Sequence, residues 1–386
     1  MTDLHPRAIL ESLYPRKTLE GLSQAPEFDC PRREKAKFGF TTRFVDRSVL
    51  KTLLRERVKP HAGDLVLARV KKISQHTRLQ LPSGRRASLF PGDEIVVTYG
   101  NRYAPDQFEA IVPQDLSTCQ LVAAGGIAAK ALTWHSRLKS ATTLEPLGLV
   151  GDARGVPVNL RDFRQVPQPP GQAVRSQHGA VTDIPSVAVL GTSMNAGKTT
   201  TAAFLIRGLC RAGLRIGAIK VTGTGAGNDL WLMQDAGAEV VLDFTNAGYP
   251  STYKVPAVEI ERIFLDLLHA VKNTGVDCVV IEIADGLFHK ETATLVQSEC
   301  FQAHVGGVLF CSGDAMGAAA GVDWLEQNGI PVLAVSGAMT ASKLARNEAQ
   351  HATRLDVLTK DVLSDPGIIE IIGSGLQRSD LSRSRK

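Results

Sequence analysis

Residues 186–200 constrain this chain more than any other segment. Ser186-Val187-Ala188-Val189-Leu190 is a short apolar run of the kind buried inside a sheet. It leads into Gly191-Thr192-Ser193-Met194-Asn195-Ala196-Gly197-Lys198-Thr199-Thr200. A helical pattern follows, with Ala203, Leu205, Ile206 and Leu209 on one side. Strand, glycine-bearing loop, Gly-Lys-Thr and helix are the parts of a phosphate-binding loop (P-loop). Backbone N–H groups of such a loop, and of the helix it opens, point at phosphate oxygens. Thr192, Ser193, Met194, Asn195, Ala196, Gly197, Lys198, Thr199 and Thr200 would form the cradle. Lys198 would reach the β- and γ-phosphates, and the Thr199 hydroxyl would ligate Mg²⁺. One position departs from the strict G-x-x-x-x-G-K-[ST] pattern: residue 192 is threonine, and Gly191 sits one place early.

The sequence around this loop repeats a strand–helix rhythm. Strands are expected at 186–190, 215–220, 239–243, 277–283, 305–310 and 331–336, and helices near 197–211, 228–236, 257–273, 317–328 and 340–352. That alternation predicts an α/β fold, a doubly wound parallel sheet with helices on both faces. Ligands of such sheets sit at the carboxyl ends of the strands. Three further residues fall there. Lys220 ends the second strand and would offset charge on a transferring phosphoryl group. Glu282 ends Val279-Val280-Ile281 and could bind Mg²⁺ directly or through water. Asp229, after the Gly223–Gly227 loop, could be a second acidic ligand or, with Asn228, part of a helix start. Asp285 and His289 follow Glu282 and could supply a base or a substrate contact. An ordinary polar loop is the stronger reading there.

The amino-terminal part reads differently. Residues 1–60 are polar, with one helix expected near 47–56. Residues 63–112 carry short strand patterns broken by Pro82-Ser83-Gly84 and Pro91-Gly92-Asp93, which predicts a small barrel or curled sheet. A helix is expected at 127–134. The expected organisation is therefore an N-terminal region, 1–163, with a β-rich module from about 60. A Pro/Gln/Gly linker follows at 164–180, then the P-loop domain at 181–375 and a Ser/Arg-rich disordered tail at 376–386.

Charge follows the same division. The net formal charge is +5, with +10 over residues 1–180 and −8 over 181–375. The basic residues are scattered and lack interleaved aromatics, which points away from nucleic acid. No apolar run is long enough to span a membrane, and Met1-Thr2-Asp3-Leu4-His5-Pro6-Arg7 opens no signal peptide. Six cysteines without a Cys-x-x-Cys pair read as reduced thiols of a cytoplasmic protein.

The stretch 186–350 resembles the dethiobiotin synthetase-like P-loop proteins, including a subgroup that carries this domain behind an unrelated N-terminal module. Gly191-Thr192 with Gly197-Lys198-Thr199 matches that family's loop, so the departure at position 192 becomes a point of likeness. Lys220 matches its strand-ending lysine, Asp229 its first acidic Mg²⁺ ligand, and Val280-Ile281-Glu282 its second strand end. Asn228-Asp229 with Asp235-Ala236-Gly237-Ala238 is also similar to the molybdopterin-guanine dinucleotide accessory GTPases. The resemblance implies ATP and Mg²⁺ binding and suggests a homodimer. It departs where substrate is read: Asn195 replaces an acidic residue, Val221 follows Lys220, and Glu282-Ile283-Ala284-Asp285-Gly286 replaces a glycine-rich turn. Those departures point away from dethiobiotin itself.

The expectation is an ATP- and Mg²⁺-dependent ligase, synthetase or kinase that activates a small carboxylate or amine acceptor. Lys198 and Lys220 would be catalytic, and Thr199, Asp229 and Glu282 would organise the metal. Two alternatives stay open. One is a nucleotide-driven switch or metallocentre chaperone, and the other an acyl transferase using the phosphate loop for coenzyme A. The segment around Lys343 holds no guanine-reading Asn/Thr-Lys-x-Asp motif, which favours ATP over GTP.

Overall fold

The computed structural model describes residues 27–56, 58–167 and 184–373. Most of the expected linker and the whole expected tail lie outside these residues. The described chain divides into two compact units. Of the described residues, one contains those of 27–103 and 107–167 with Gly248–Pro250; the other contains Ala104–Asp106 and those of 184–247 and 251–373.

Among its described residues the first unit holds a short helix, α1 (Cys30–Lys35), three 3₁₀ turns and ten strands. These are β1 (Lys37–Phe38), β2 (Thr52–Leu54), β3 (Leu65–Lys72), β4 (Arg78–Gln80), β5 (Arg86–Ser88), β6 (Glu94–Tyr99), β7 (Phe108–Ile111), β8 (Cys119–Ala123), β9 (Ile127–Trp134) and β10 (Thr142–Gly151). Pairing runs β6-β3-β10-β8-β9, and a parallel β6–β9 contact closes the ring into a small barrel. β3 shows why its sequence is continuously apolar. Val66, Ala68 and Val70 fill the barrel with Ile95, Val97 and Tyr99. Leu65 and Leu67 point the other way, into a layer with Phe28, Phe38, Leu50 and Leu53. A strand covered on both faces does not alternate apolar with polar.

Two helix expectations fail in this unit. Residues 47–56 form a single 3₁₀ turn, Arg47–Val49, and then β2. Asp46 caps that turn by accepting from Ser48 N at 2.8 Å. Leu53 and Leu54 then enter different apolar clusters, which a strand achieves and a helix does not. Residues 127–134 form β9, not a helix. Gly126, at φ 101°, turns the chain back from β8 and sets a hairpin. Ala128 then faces the barrel while Ile127 and Ala129 join a second cluster. The helix preference of the alanines is overridden by this two-residue period of burial.

The second unit is a six-stranded parallel sheet with helices on both faces. In chain order it runs β11 (Ser186–Gly191), α2 (Lys198–Arg211), β12 (Ile216–Lys220), α3 (Asn228–Asp235), β13 (Val240–Asp243), α4 (Ala257–Lys272) and β14 (Cys278–Glu282). It continues with α5 (Lys290–Gln297), α6 (Glu299–His304), β15 (Gly307–Cys311), α7 (Ala315–Gln327), β16 (Val332–Ser336), α8 (Lys343–Thr353) and α9 (Lys360–Ser364). The strand order is β13-β12-β14-β11-β15-β16. The chain steps from β11 to one side and later returns to the other, so the mouth of β11 lies at the switch point. Every expected strand and helix of this region is present, with ends displaced by at most three residues. The short helices α5, α6 and α9 carry too few turns to show a period in sequence.

Burial follows strand alternation. Val187, Val189, Ile216, Ala218, Cys278, Val280, Leu309 and Cys311 share one cluster with Ala202, Leu205, Ile206 and Leu209 of α2. On the opposite face Gly217 leaves room for Val271 of α4, and Gly321 of α7 lets Phe310 lie against its backbone. All six cysteines are unbridged, three of them buried. No described helix is long and apolar enough to cross a membrane.

Candidate functional site

Register builds the site. In the parallel pairing of β12 with β14, Ile216, Ala218 and Lys220 face Cys278, Val280 and Glu282. Side chains alternate, so Lys220 and Glu282 emerge on the same face as the apolar residues packed against α2. Both are the last residues of their strands. The first turn of α2 lies over that end. Its Thr199 Oγ1 donates to Glu282 Oε1 at 2.8 Å. Lys220 Nζ donates to the same oxygen at 3.3 Å and also to Asp229 Oδ2. Glu282 Oε2 is buried and accepts no hydrogen bond among the described residues.

The loop between β11 and α2 is held from three sides. Thr192 N donates to Cys311 O at 3.0 Å, anchoring its start to the end of β15. Ala338 N donates to Ala196 O at 2.9 Å, anchoring its end to the segment after β16. Gly286, after β14, packs its backbone on Thr192, where a Cβ would overlap the Thr192 carbonyl oxygen. Two loop residues have left-handed backbone, Asn195 at φ 66° and Gly197 at φ 100°. Asparagine tolerates this region, and glycine adopts it without strain. A Cβ on Gly197 would also lie 2.9 Å from Gly337 Cα. The N-terminus of α2 has no side-chain cap, and Thr201 N is the first to find a helical acceptor, Gly197 O at 2.9 Å. The helix start thus presents donors to a ligand.

The electrostatics are strongly coupled. Lys198 is buried, with Nζ donating to Ser193 O at 2.6 Å across its own loop. Burial pushes its pKa below the ordinary lysine value, and Glu282, Asp285 and Cys311 recover part of that shift. Burial also works against the charge on Lys220, but Glu282 and Asp229 outweigh it and hold this lysine above the ordinary value. Burial raises the carboxyl pKa of Asp285, opposed by His289, Lys198 and Lys220.

Lys198, Thr199, Lys220, Asp229 and Glu282 therefore converge. Asp229 sits in the first turn of α3. Its half-exposed carboxylate is engaged by Lys220, so both carboxylates share one ammonium. Among the described residues no three His, Cys, Asp or Glu side chains come together to hold a metal by themselves. Lys343 starts α8 at the same end of the sheet.

A second cluster lies beside the first, on what the sequence suggested was an ordinary polar loop. Asp285, His289 and Glu291 are all buried. His289 Nε2 is 3.3 Å from Glu291 Oε2, and Nδ1 is 4.0 Å from Asp285 Oδ2. Glu291 Oε1 accepts from Lys254 N at 2.5 Å, and the Tyr253 and His289 rings lie 5.9 Å apart. Glu291, Tyr253 and Lys254 carry no motif, and only the packed chain brings them to His289.

No protein-family model matches this chain, and no curated protein matches it. Solved structures do. The signal recognition particle 54 kDa protein from Aeropyrum pernix K1, in complex with GDP, is 18% identical over 58% of this chain and 53% of that one, with TM-score 0.35. A nucleotide-binding protein from Archaeoglobus fulgidus, in complex with ADP, is 16% identical over 48% and 88%, with TM-score 0.35. The kinase domain of the Escherichia coli tyrosine kinase ETK is 16% identical over 40% and 66%, with TM-score 0.30. The chain spans about half the length of the first of these. At such identities and TM-scores, what those proteins bind says nothing of this chain's ligand.

Proposed function

We propose that this site binds ATP with Mg²⁺ and transfers a phosphoryl group to activate a small carboxylate or amine acceptor, as a ligase, synthetase or kinase. The observation that carries this reading is the wiring of Glu282. One of its oxygens accepts from Lys220 and from Thr199, in the first turn of the helix that a phosphate-type loop opens, while the other is buried with no hydrogen-bond partner among the described residues. A buried carboxylate oxygen without a partner is costly unless a ligand or cation completes it.

Residues 192–200 hold the triphosphate through backbone donors. Lys198 leaves its intraloop bond to Ser193 and meets phosphate oxygens. Thr199 and Glu282 hold Mg²⁺, with Asp229 beside them. This small donor set fits an ion that keeps several waters and phosphate oxygens in its shell. Mg²⁺ would neutralise charge on the transferring phosphoryl group. Lys220 adds a fixed positive charge at the strand ends and cancels the repulsion of Asp229 and Glu282. Homodimer assembly and a cytoplasmic location belong to the same proposal.

One observation favours a second reading. Lys220 pairs with both Asp229 and Glu282, and Lys198 adds a second positive charge near Glu282, so two lysines and two carboxylates balance without a cation. The cradle could hold the phosphates of coenzyme A for acyl transfer. ADP release measured over a panel of small carboxylates and amines, with and without Mg²⁺, separates the two. Mg²⁺-dependent ADP release stimulated by an acceptor supports the first reading. Coenzyme A binding without Mg²⁺, and no ATP turnover, would withdraw the metal roles of Thr199, Asp229 and Glu282.

A further inference from the structure

We propose that His289, oriented by Glu291, is the general base that takes the proton from the attacking nucleophile, so that the acceptor is an amine or hydroxyl and not a carboxylate. The inference rests on the reading of the adjoining loop as the seat of ATP. Three observations carry it. First, a carboxylate stands behind the imidazole, the order of an oriented base. Glu291 Oε2 lies 3.3 Å from Nε2, an ion-pair distance without hydrogen-bond alignment, and Glu291 Oε1 is itself fixed by Lys254 N. Second, Nδ1 looks toward Asp285 across 4.0 Å, too long for a direct bond, with Thr292 Oγ1 at 3.4 Å. Third, the loop that carries Asp285 packs Gly286 onto Thr192, which places the cluster against the phosphate loop.

The groups facing the imidazole are Asp285 on its own loop, Glu291 and Thr292 on α5, and Tyr253 ahead of α4. Lys198 and Lys220 act on Asp285 from α2 and β12. Two buried carboxylates repel a carboxylate acceptor and suit one that arrives neutral or positive. In the step, the nucleophile's lone pair forms a bond to the γ-phosphorus and the bond to the ADP oxygen breaks. The proton of the nucleophile passes to His289 Nδ1.

The test uses the full chain with ¹³C-labelled histidine and MgATP as the probe. An anion on Lys198 removes that lysine's pull on Asp285 and adds negative charge nearby. The His289 ring signals should therefore move on binding, and Glu291→Gln should reduce that movement. With water as probe nucleophile, MgATP hydrolysis by wild type should climb with pH. His289→Gln should lose that limb and about 10²–10⁴-fold in rate, at unchanged MgATP affinity. Should His289→Gln fail to fold, the movement of the His289 ring signals in wild type on MgATP binding and its reduction in Glu291→Gln remain as the test. A His289 signal unmoved by saturating MgATP would overturn the proposal, as would hydrolysis that keeps its pH limb in His289→Gln. Absence of MgATP binding to wild type would instead overturn the reading on which the proposal rests.

Discussion

Lys220 and Glu282 are register partners at the carboxyl ends of β12 and β14, and their side chains meet at 3.3 Å on the face covered by α2. Both are almost fully buried. The pair ties the two strand ends together, reaches Asp229 at the start of α3, and through Thr199 reaches the first turn of α2. Four elements of the sheet unit thus converge on one carboxylate.

Removing the lysine should cost stability. Lys220→Met leaves Glu282 buried with only the Thr199 hydroxyl, and a buried charge stripped of its partner costs about 3–5 kcal/mol. Adding Glu282→Gln should recover much of that loss, since the stranded charge is gone. The pH dependence has a definite sign. The folded pKa of Lys220 lies above its unfolded value, so its stabilisation is complete below about 10.4 and is lost only as pH rises through the folded value. Denaturant unfolding should show a Lys220→Met penalty that is flat from about pH 6 to 9. A double variant no more stable than Lys220→Met would contradict the pairing.

Glu282→Gln alone should act on the metal. Glutamine keeps the shape and can still accept from Thr199, while Lys220 retains Asp229. The Mg²⁺ concentration for half-maximal nucleotide binding should rise about tenfold or more. A wild-type Mg²⁺ titration would remove Glu282 from the metal site.

Ligand binding should take up a proton at alkaline pH. Burial depresses the pKa of Lys198, and phosphate oxygens beside Nζ would raise it again. Between the depressed value and about 10.4, the free lysine is partly neutral and the bound one is charged. Titration heats in two buffers of different ionisation enthalpy should reveal uptake approaching one proton in that window. No uptake at any pH would mean that phosphate does not approach Lys198.

Much of the sheet unit is legible in sequence because its signals are local. Val187–Leu190 before glycine, and Gly197-Lys198-Thr199 before an amphipathic stretch, announce strand, loop and helix within fifteen residues. Lys220 and Glu282 stand out because each ends an apolar run. The sharing of Lys220 by two carboxylates does not show, since it depends on the β12–β14 register. Nor does the burial of His289, whose neighbours come from the segment before α4, the β14 loop and α5. In the barrel unit, Ile127-Ala128-Ala129 reads as helix by propensity, and only burial on alternate sides makes it a strand.

The most direct measurement is calorimetric titration of ATP, GTP and coenzyme A, each with and without Mg²⁺, into wild type and Lys198→Ala. The account expects Mg²⁺-dependent ATP binding in wild type that Lys198→Ala abolishes. ATP binding that survives unchanged in Lys198→Ala would contradict the assignment of residues 192–200 as the phosphate cradle.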